Sequence, residues 1–102
     1  MAISRHWTGV AKRERAGEYI AHLQHDTFKK LATIDGFIRA SILKRDLDDG
    51  VEFLIETEWE SIESIKKFAG DYVDTAVVPS VAQAMLIRYD KKVRHYEIHF
   101  RV

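Results

Sequence analysis

The sequence changes repeatedly between the two-residue period of a β-strand and the longer period of a helix, and this order limits the folds that it can adopt. In residues 51–60, odd-numbered positions are mainly apolar and even-numbered positions mainly acidic, as expected of a strand with one buried face. The preceding Asp49-Gly50 pair is typical of a hairpin turn. We therefore predict an antiparallel pair of strands, with residues 37–46 as the partner.

Two segments carry apolar residues at helical spacing and have recognisable ends. Residues 14–34 form the first helix, and Gly36 is expected to end it. Ser61 is the predicted N-cap of the second helix, and Gly70 its C′ residue. Each helix is thus expected to follow a strand.

Two further strands and a third helix complete the pattern. Residues 3–10 and 92–102 are the predicted first and last strands, and Pro79 suits the first turn of the third helix. The apolar face of that helix comprises Val81, Ala82, Met85, Leu86 and Tyr89. The order β-α-β-β-α-(α)-β is that of a ferredoxin-like α+β domain, with a four-stranded antiparallel sheet and helices on one face. The length fits one domain over residues 1–102.

The sheet face opposite the helices needs a cover, because several apolar side chains are expected there. Exposed apolar patches of this kind mark interfaces. A second copy packed sheet against sheet would cover the face by two-fold symmetry. We therefore expect a homodimer that associates through its sheet faces.

Composition and missing motifs exclude several classes of protein. Sixteen basic and sixteen acidic residues give zero net charge, which provides no general attraction to nucleic acid or to an anionic membrane. The chain has no cysteine, which excludes disulfides and a cysteine nucleophile. It lacks a dinucleotide fingerprint and a phosphate loop, which argues against a nicotinamide-dependent or nucleotide-hydrolysing enzyme. It also lacks a serine elbow, which argues against a serine hydrolase. It also lacks a signal-peptide pattern and a long apolar run. We expect a cytoplasmic protein with neither a nucleic-acid nor a membrane partner.

Four polar residues are candidates for chemistry in the gap between sheet and helices. His22 and His95 are candidate bases, because the ordinary histidine pKa lies nearest to neutral pH. Arg5 and Tyr72 are candidates for binding an oxyanion. His95 and His99 lie on the last strand, but two histidines do not complete a metal site, so no metal is predicted.

Three aromatic residues are candidate walls for a flat ligand. Trp59 ends the apolar row of the central strand, and Phe68 lies on the second helix. Trp7 lies on the first strand. The alternative for Trp59 is that it simply fills the core, as buried tryptophans commonly do.

Several stretches of the chain resemble the antibiotic biosynthesis monooxygenase family, and the resemblance spans nearly the whole sequence. It is carried most specifically by the junction of Trp59 and Ser61 at the end of the third strand and by the last strand. The main stretches are Arg5-His6-Trp7-Thr8-Gly9, Asp35-Gly36-Phe37, Thr57-Glu58-Trp59-Glu60-Ser61 and Val93-Arg94-His95-Tyr96-Glu97, and shorter ones are Glu18-Tyr19, Phe68-Ala69-Gly70 and Ala76-Val77-Val78.

The resemblance implies a dimeric α/β barrel and a choice of chemistries. Some members of this family oxidise polycyclic phenols or quinols with molecular oxygen and use neither metal nor flavin. Others with the same fold degrade haem, isomerise small molecules or bind a ligand. Trp59 matches a tryptophan of the haem-degrading members, but the asparagine that they use is missing, because this chain has no asparagine.

The resulting hypothesis is a cofactor-independent oxygenase that acts on a small aromatic or enolisable substrate. A base removes a proton from the substrate, the anion reacts with oxygen, and apolar walls exclude water. Two alternatives stay open: a non-catalytic ligand-binding or interaction module, and an isomerase or lyase that uses the same base without oxygen.

Overall fold

The strands form a single antiparallel sheet. The computed structural model describes all residues from 1 to 102. Three long strands, β1 (Ile3–Ala11), β2 (Phe37–Asp46) and β3 (Val51–Trp59), lie in the order β2-β3-β1. Two short strands, β4 (Leu86–Tyr89) and β5 (Arg94–Glu97), pair with opposite ends of β1. The ferredoxin-like α+β fold is confirmed, with its fourth strand position divided between β4 and β5.

The first helical segment is continuous but not uniform. It comprises α1 (Ala16–His22), a π-helical turn (Leu23–Thr27) and α2 (Phe28–Leu31). The other helices are α3 (Ile62–Ala69) and α4 (Ser80–Gln83). The helical period predicted for residues 14–34 is therefore present, but the π turn inside it was not predicted. None of the helices combines the length and the apolar character needed to cross a membrane.

The core lies between the sheet and these helices, as the alternation in β3 predicts. All five odd-numbered residues of β3 are buried, and the four even-numbered ones are only partly buried. One cluster joins Phe53 and Trp7 to Tyr19 of α1. A second cluster joins Trp59 to Leu31 and Ile65 of the flanking helices.

The ends of α3 confirm the signals in the sequence. The Ser64 N–H donates to Ser61 Oγ over 3.2 Å, and the Gly70 N–H donates to the Lys66 carbonyl over 2.8 Å. Gly70 has a φ of 78°, which favours glycine. Gly36 has a φ of 93°, and a Cβ there would lie 2.0 Å from Ser64 Oγ. Glycine at this position thus allows both the turn and the close approach of α3.

The prediction of the third helix is wrong beyond Gln83. Leu86–Tyr89 form β4, which pairs with β1 from Gly9 to Ala11. The spacing of the apolar residues in this segment fits a helix as well as a strand. The unpaired edge of β1, however, offers backbone hydrogen bonds that only a strand can complete. The chain reaches this edge immediately after α4, where the Lys12 N–H donates to the Met85 carbonyl over 2.9 Å.

The last strand is shorter than predicted. Regular strand structure covers Arg94–Glu97 rather than all of 92–102. Beyond it, the Ile98 N–H still donates to the Ala2 carbonyl over 2.9 Å. Arg101 then forms an ion pair of 3.0 Å with Glu58, so the end of the chain reaches the face opposite the helices.

That opposite face, called here the open face, carries the acidic row of β3 together with a small apolar centre. Its apolar centre is the cross-strand pair of Leu43 and Leu54. Ion pairs surround the centre: Arg45 with Glu52, and Arg39 with Glu58 at 3.1 Å. Leu43 is 44% exposed, so an apolar surface remains on this face.

Candidate functional site

A cavity opens between the helix-facing side of the sheet and the first helical segment. The space within its outline is about 590 Å³, a figure that includes open solvent outside the mouth. Most of its walls are apolar, and a few polar side chains are set among them. The apolar walls include Leu23, Phe28, Leu31, Ile55, Phe68 and Val78, and the polar side chains are those of Arg5, Tyr19, His22, Thr27 and Thr57. Cavities of this kind, apolar with a few polar groups, are typical small-molecule sites.

Arg5 is the most unusual residue of the cavity, because its guanidinium is buried without a carboxylate beside it. The residue is 5% exposed, and none of the ion pairs of the protein involves it. Its Nη1 donates to the Val73 carbonyl and to His95 Nε2, the latter over 2.9 Å, and its Nη2 donates to the Thr75 carbonyl over 3.0 Å. Its Cζ lies 5.8 Å from the ring centre of Phe68, within cation–π distance.

His95 connects Arg5 to a carboxylate at the surface. A guanidinium only donates hydrogen bonds, so His95 Nε2 must accept from Arg5 and the ring proton lies on Nδ1. Nδ1 then donates to Asp74 Oδ1 over 3.2 Å. Burial and the neighbouring Arg5 charge lower the pKa of His95. Burial likewise lowers the pKa of Arg5 to about 10, although the Asp74 charge opposes this.

His22 lies on the cavity wall where α1 meets the π turn. Its side chain is only 9% exposed. A π turn aligns residues five apart, and Thr27 Oγ1 accordingly lies 3.4 Å from His22 Nε2. The other ring nitrogen, Nδ1, lies 3.9 Å from Asp26 Oδ2. His22 is the one histidine among the lining residues, and its Nε2 has a single long contact with the protein.

Trp7 and Tyr19 form an aromatic part of the wall. Trp7 Nε1 donates to the Asp90 carbonyl over 2.8 Å. A Cβ on Gly9 would lie 2.4 Å from the indole, so glycine there makes room for Trp7. Tyr19 packs against the indole at 6.4 Å, and burial raises the pKa of its hydroxyl. Sequence reasoning missed Tyr19 as a cavity residue, because a tyrosine in an apolar helical stripe gives no sign of facing a cavity.

Three of the candidates predicted from the sequence do not line the cavity. Trp59 is fully buried, and its Nε1 donates to Thr57 Oγ1 over 2.9 Å. It stacks behind Phe68 with ring centres 6.1 Å apart, so it supports the wall and does not form it. Tyr72 is 84% exposed, because its loop carries it to the surface. His95 lies behind Arg5, with both ring nitrogens engaged.

The remaining predicted residues do meet in the cavity. Arg5, His22, Trp7 and Phe68 all line it. A buried cation and a histidine thus share one largely apolar space, which suits binding an anion and moving a proton next to it. Nowhere in the protein do three or more histidine, cysteine, aspartate or glutamate side chains lie together as metal ligands could.

Solved structures share the fold at low sequence identity. A variant of SnoaB, a cofactor-independent oxygenase from Streptomyces nogalater, aligns with a TM-score of 0.71 at 10% identity, covering 99% of this chain and 96% of that one. A conserved protein from Methanosarcina mazei aligns with a TM-score of 0.68 at 14% identity, covering 94% and 91%. A heme-degrading protein from Mycobacterium tuberculosis aligns with a TM-score of 0.58 at 16% identity, covering 100% and 99%.

The sequence itself gives the family. No curated protein matches it significantly. The family model described as antibiotic biosynthesis monooxygenase matches residues 10–71. This segment holds β2, β3 and the first helical segment, including His22, and it is more than half of the chain. The chain therefore belongs to the antibiotic biosynthesis monooxygenase family.

Proposed function

We propose that the protein is a cofactor-independent oxygenase that binds a small aromatic or enolisable substrate in the cavity. The observation that carries this proposal is the presence of Arg5 and His22 on the walls of one largely apolar cavity. Membership of the family supports it. The similar fold of SnoaB, itself a cofactor-independent oxygenase, is compatible with it.

In this mechanism His22 is the base. It takes a proton from the phenol or enol, or from the carbon next to it, and Asp26 lies near enough to stabilise the imidazolium that forms. The positive charge of Arg5 stabilises the oxyanion that develops in the cavity. His95, which the sequence also suggested as a base, is assigned a different role, because neither of its ring nitrogens is free.

The anion then reduces oxygen. Two electrons from the substrate carbon form a C–O bond to O₂, and the other oxygen atom becomes the end of a peroxide that takes up the proton. When the carbon carries a second hydrogen, loss of that hydrogen and cleavage of the O–O bond give a carbonyl and water. A methylene group and O₂ thus become a carbonyl group and H₂O, with no other reductant. Apolar walls such as Phe28 and Leu31 exclude water from the radical or peroxide stage.

Oxygen uptake by two histidine variants tests this assignment. We expect His22→Gln to lower turnover by about 10²- to 10⁴-fold, the usual contribution of a general base. His25→Gln is the matched control, because His25 lies on the same π turn but is exposed, and its turnover should equal that of the wild type. Equal turnover of His22→Gln and the wild type would remove His22 from the base role.

An isomerase or lyase is the second candidate, because the same histidine and guanidinium suffice for proton transfer without oxygen. The two functions differ in their need for O₂. An isomerase converts substrate at the same rate under argon, whereas the proposed oxygenase stops. Binding without any turnover would instead favour a ligand-binding module.

We also propose that the protein forms a homodimer through its open face. The exposed Leu43 beside Leu54 provides an apolar centre, and the surrounding ion pairs provide a polar rim. This arrangement resembles an interface with an apolar core.

A further inference from the structure

We propose that the ligand of the cavity carries a carboxylate on an apolar body, that Arg5 binds this carboxylate, and that His95 and Asp74 are positioning residues for Arg5. The inference rests on the proposed function only for the location of the site. It concerns what is bound and how the cation is held, and it can be tested without turnover.

Arg5 has hydrogen-bond donors that no group of the protein accepts. Arginine has five N–H groups, and the protein accepts from three of them, two on Nη1 and one on Nη2. The two that remain are on Nε and Nη2. These two nitrogens form one edge of the planar guanidinium, and such an edge matches the two oxygens of a carboxylate.

The buried guanidinium of Arg5 has no counter-ion in the protein. Arg5 is 5% exposed and belongs to no ion pair. The nearest acidic group in its network, Asp74, is separated from it by the His95 ring and has a side chain that is 71% exposed. A buried charge without a partner is costly. A bound carboxylate would supply the partner that the protein does not.

His95 and Asp74 determine how the guanidinium is held. Nη1 has no free N–H group, because His95 and the Val73 carbonyl accept both. Asp74 fixes the His95 ring in the tautomer that can accept. The terminal nitrogens are thus anchored to the protein, and the Nε edge is left for the ligand.

The other lining residues indicate the chemical character of the part of the ligand outside its carboxylate. Arg5 is the one lysine or arginine among the lining residues, and most of the others are apolar. Phe28 adds an aromatic side chain to the lining, and Phe68 packs against the Arg5 guanidinium. The structure thus favours an aromatic or similarly planar apolar acid over a sugar or a polyanion.

Calorimetric titration with 1-naphthoate and its neutral isostere 1-naphthamide tests charge recognition. We expect the wild type to bind 1-naphthoate at least about tenfold more tightly, since charge-assisted hydrogen bonds are about twice as strong as neutral ones. In Arg5→Met the preference should disappear while 1-naphthamide binding stays. Arg5→Lys, which keeps the charge but not the planar edge, should lose most of the preference and serves if Arg5→Met does not fold. Equal binding of both probes by the wild type would overturn the proposal.

The positioning role is tested by the same ratio of affinities. His95→Gln retains an acceptor for Arg5 and should keep the preference for 1-naphthoate within about twofold, whereas His95→Leu should lower it several-fold without changing 1-naphthamide binding. Asp74→Asn should lower it less. Loss of packing alone would weaken both probes equally, and that result would overturn the positioning role.

Failure of this inference and failure of the oxygenase proposal are distinguishable. A protein that prefers 1-naphthoate but never consumes oxygen with any substrate supports the carboxylate site and contradicts the oxygenase. A protein that consumes oxygen with neutral phenols and shows no preference between the probes does the reverse. Arg5 would then serve only the oxyanion that forms during the reaction.

Discussion

Arg5 shows how a single residue of an otherwise ordinary core makes a site. It belongs to the buried row of β1, between Ile3 and Trp7, where an apolar side chain would pack at less cost. Backbone carbonyls at Val73 and Thr75 and the ring of His95 accept its hydrogen bonds. The protein therefore holds a buried charge with enough partners to fix it but not enough to neutralise it.

The sequence predicted part of the site at this scale. Arg5 and His22 could be found because their residue types are chemically distinctive. Trp59 was a candidate either for the wall or for the core, and the core alternative holds, because Phe68 stands between Trp59 and the cavity. Tyr72 was assigned from its hydroxyl, and only the path of the loop takes it to the surface. The chain of Asp74, His95 and Arg5 joins residues far apart in sequence, so no local pattern could indicate it.

The stability of the protein should fall in mild acid because of His95. Burial and Arg5 lower its pKa below the ordinary 6.5 in the folded protein, against the opposing pull of Asp74. The unfolded chain therefore binds the proton first as the pH falls, and the free energy of unfolding decreases from about pH 6.5 down to the folded pKa. Urea unfolding of the wild type and His95→Gln at several pH values measures this effect. The variant should lose less stability than the wild type between pH 7 and 5, and parallel curves would contradict the assignment.

The π turn is the element that most directly connects secondary structure to the site. A π turn amounts to one extra residue in an α-helix and is frequent at functional sites. Here it places His22 and Thr27 together on the cavity wall. The apolar period of residues 14–34 is still read as a helix, because a single inserted residue barely disturbs it. The hairpin of β2 and β3 was predictable from local residues, whereas β4 depended on the edge of a distant strand.

Removing the inserted residue should separate folding from function. Deletion of Gln24, which is exposed on the π turn, restores an α-helical register and leaves α2 in place. We expect circular dichroism and the melting temperature to stay close to those of the wild type, while oxygen uptake falls at least about tenfold. Unchanged activity would show that the π turn does not position His22.

The N-cap of α3 provides a test of local stability. Ser61→Ala removes the bond to the Ser64 N–H and should cost about 1 kcal/mol. For a domain of this size that corresponds to a fall in melting temperature of roughly 4–8 °C. Ser61→Asp retains a capping oxygen and should melt close to the wild type. A melting temperature for Ser61→Ala equal to that of the wild type would exclude the cap as a stabilising contact.

The open face is the part of the protein surface whose apolar centre has no cover within the single chain. It has an apolar centre at Leu43 and Leu54 and charged surroundings. The cavity lies on the opposite side of the sheet, so association through this face leaves the site accessible. The sequence indicated such a face by alternation, but its charge pattern depends on strand register, which only the folded sheet defines.

Association through the open face is tested by sedimentation. We expect the wild type to sediment at twice the chain mass of 11.8 kDa. Leu43→Glu should give monomers, because it buries a carboxylate in the interface. Val81→Glu is the control, since Val81 is 52% exposed on α4, on the other side of the sheet. A stable monomer of wild-type protein, or a dimer of Leu43→Glu, would contradict this assembly.

The fate of molecular oxygen distinguishes an oxygenase from every other enzyme that could use this cavity. The purified protein is treated with a chelator and freed of flavin. It is then incubated under ¹⁸O₂ with a substrate that supports oxygen uptake, and the mass of the product is measured by mass spectrometry. The proposed reaction predicts one ¹⁸O atom in the product, one in water, and a rate that falls with His22→Gln. Product that forms under argon, or product without label, would show that the cavity catalyses a different reaction.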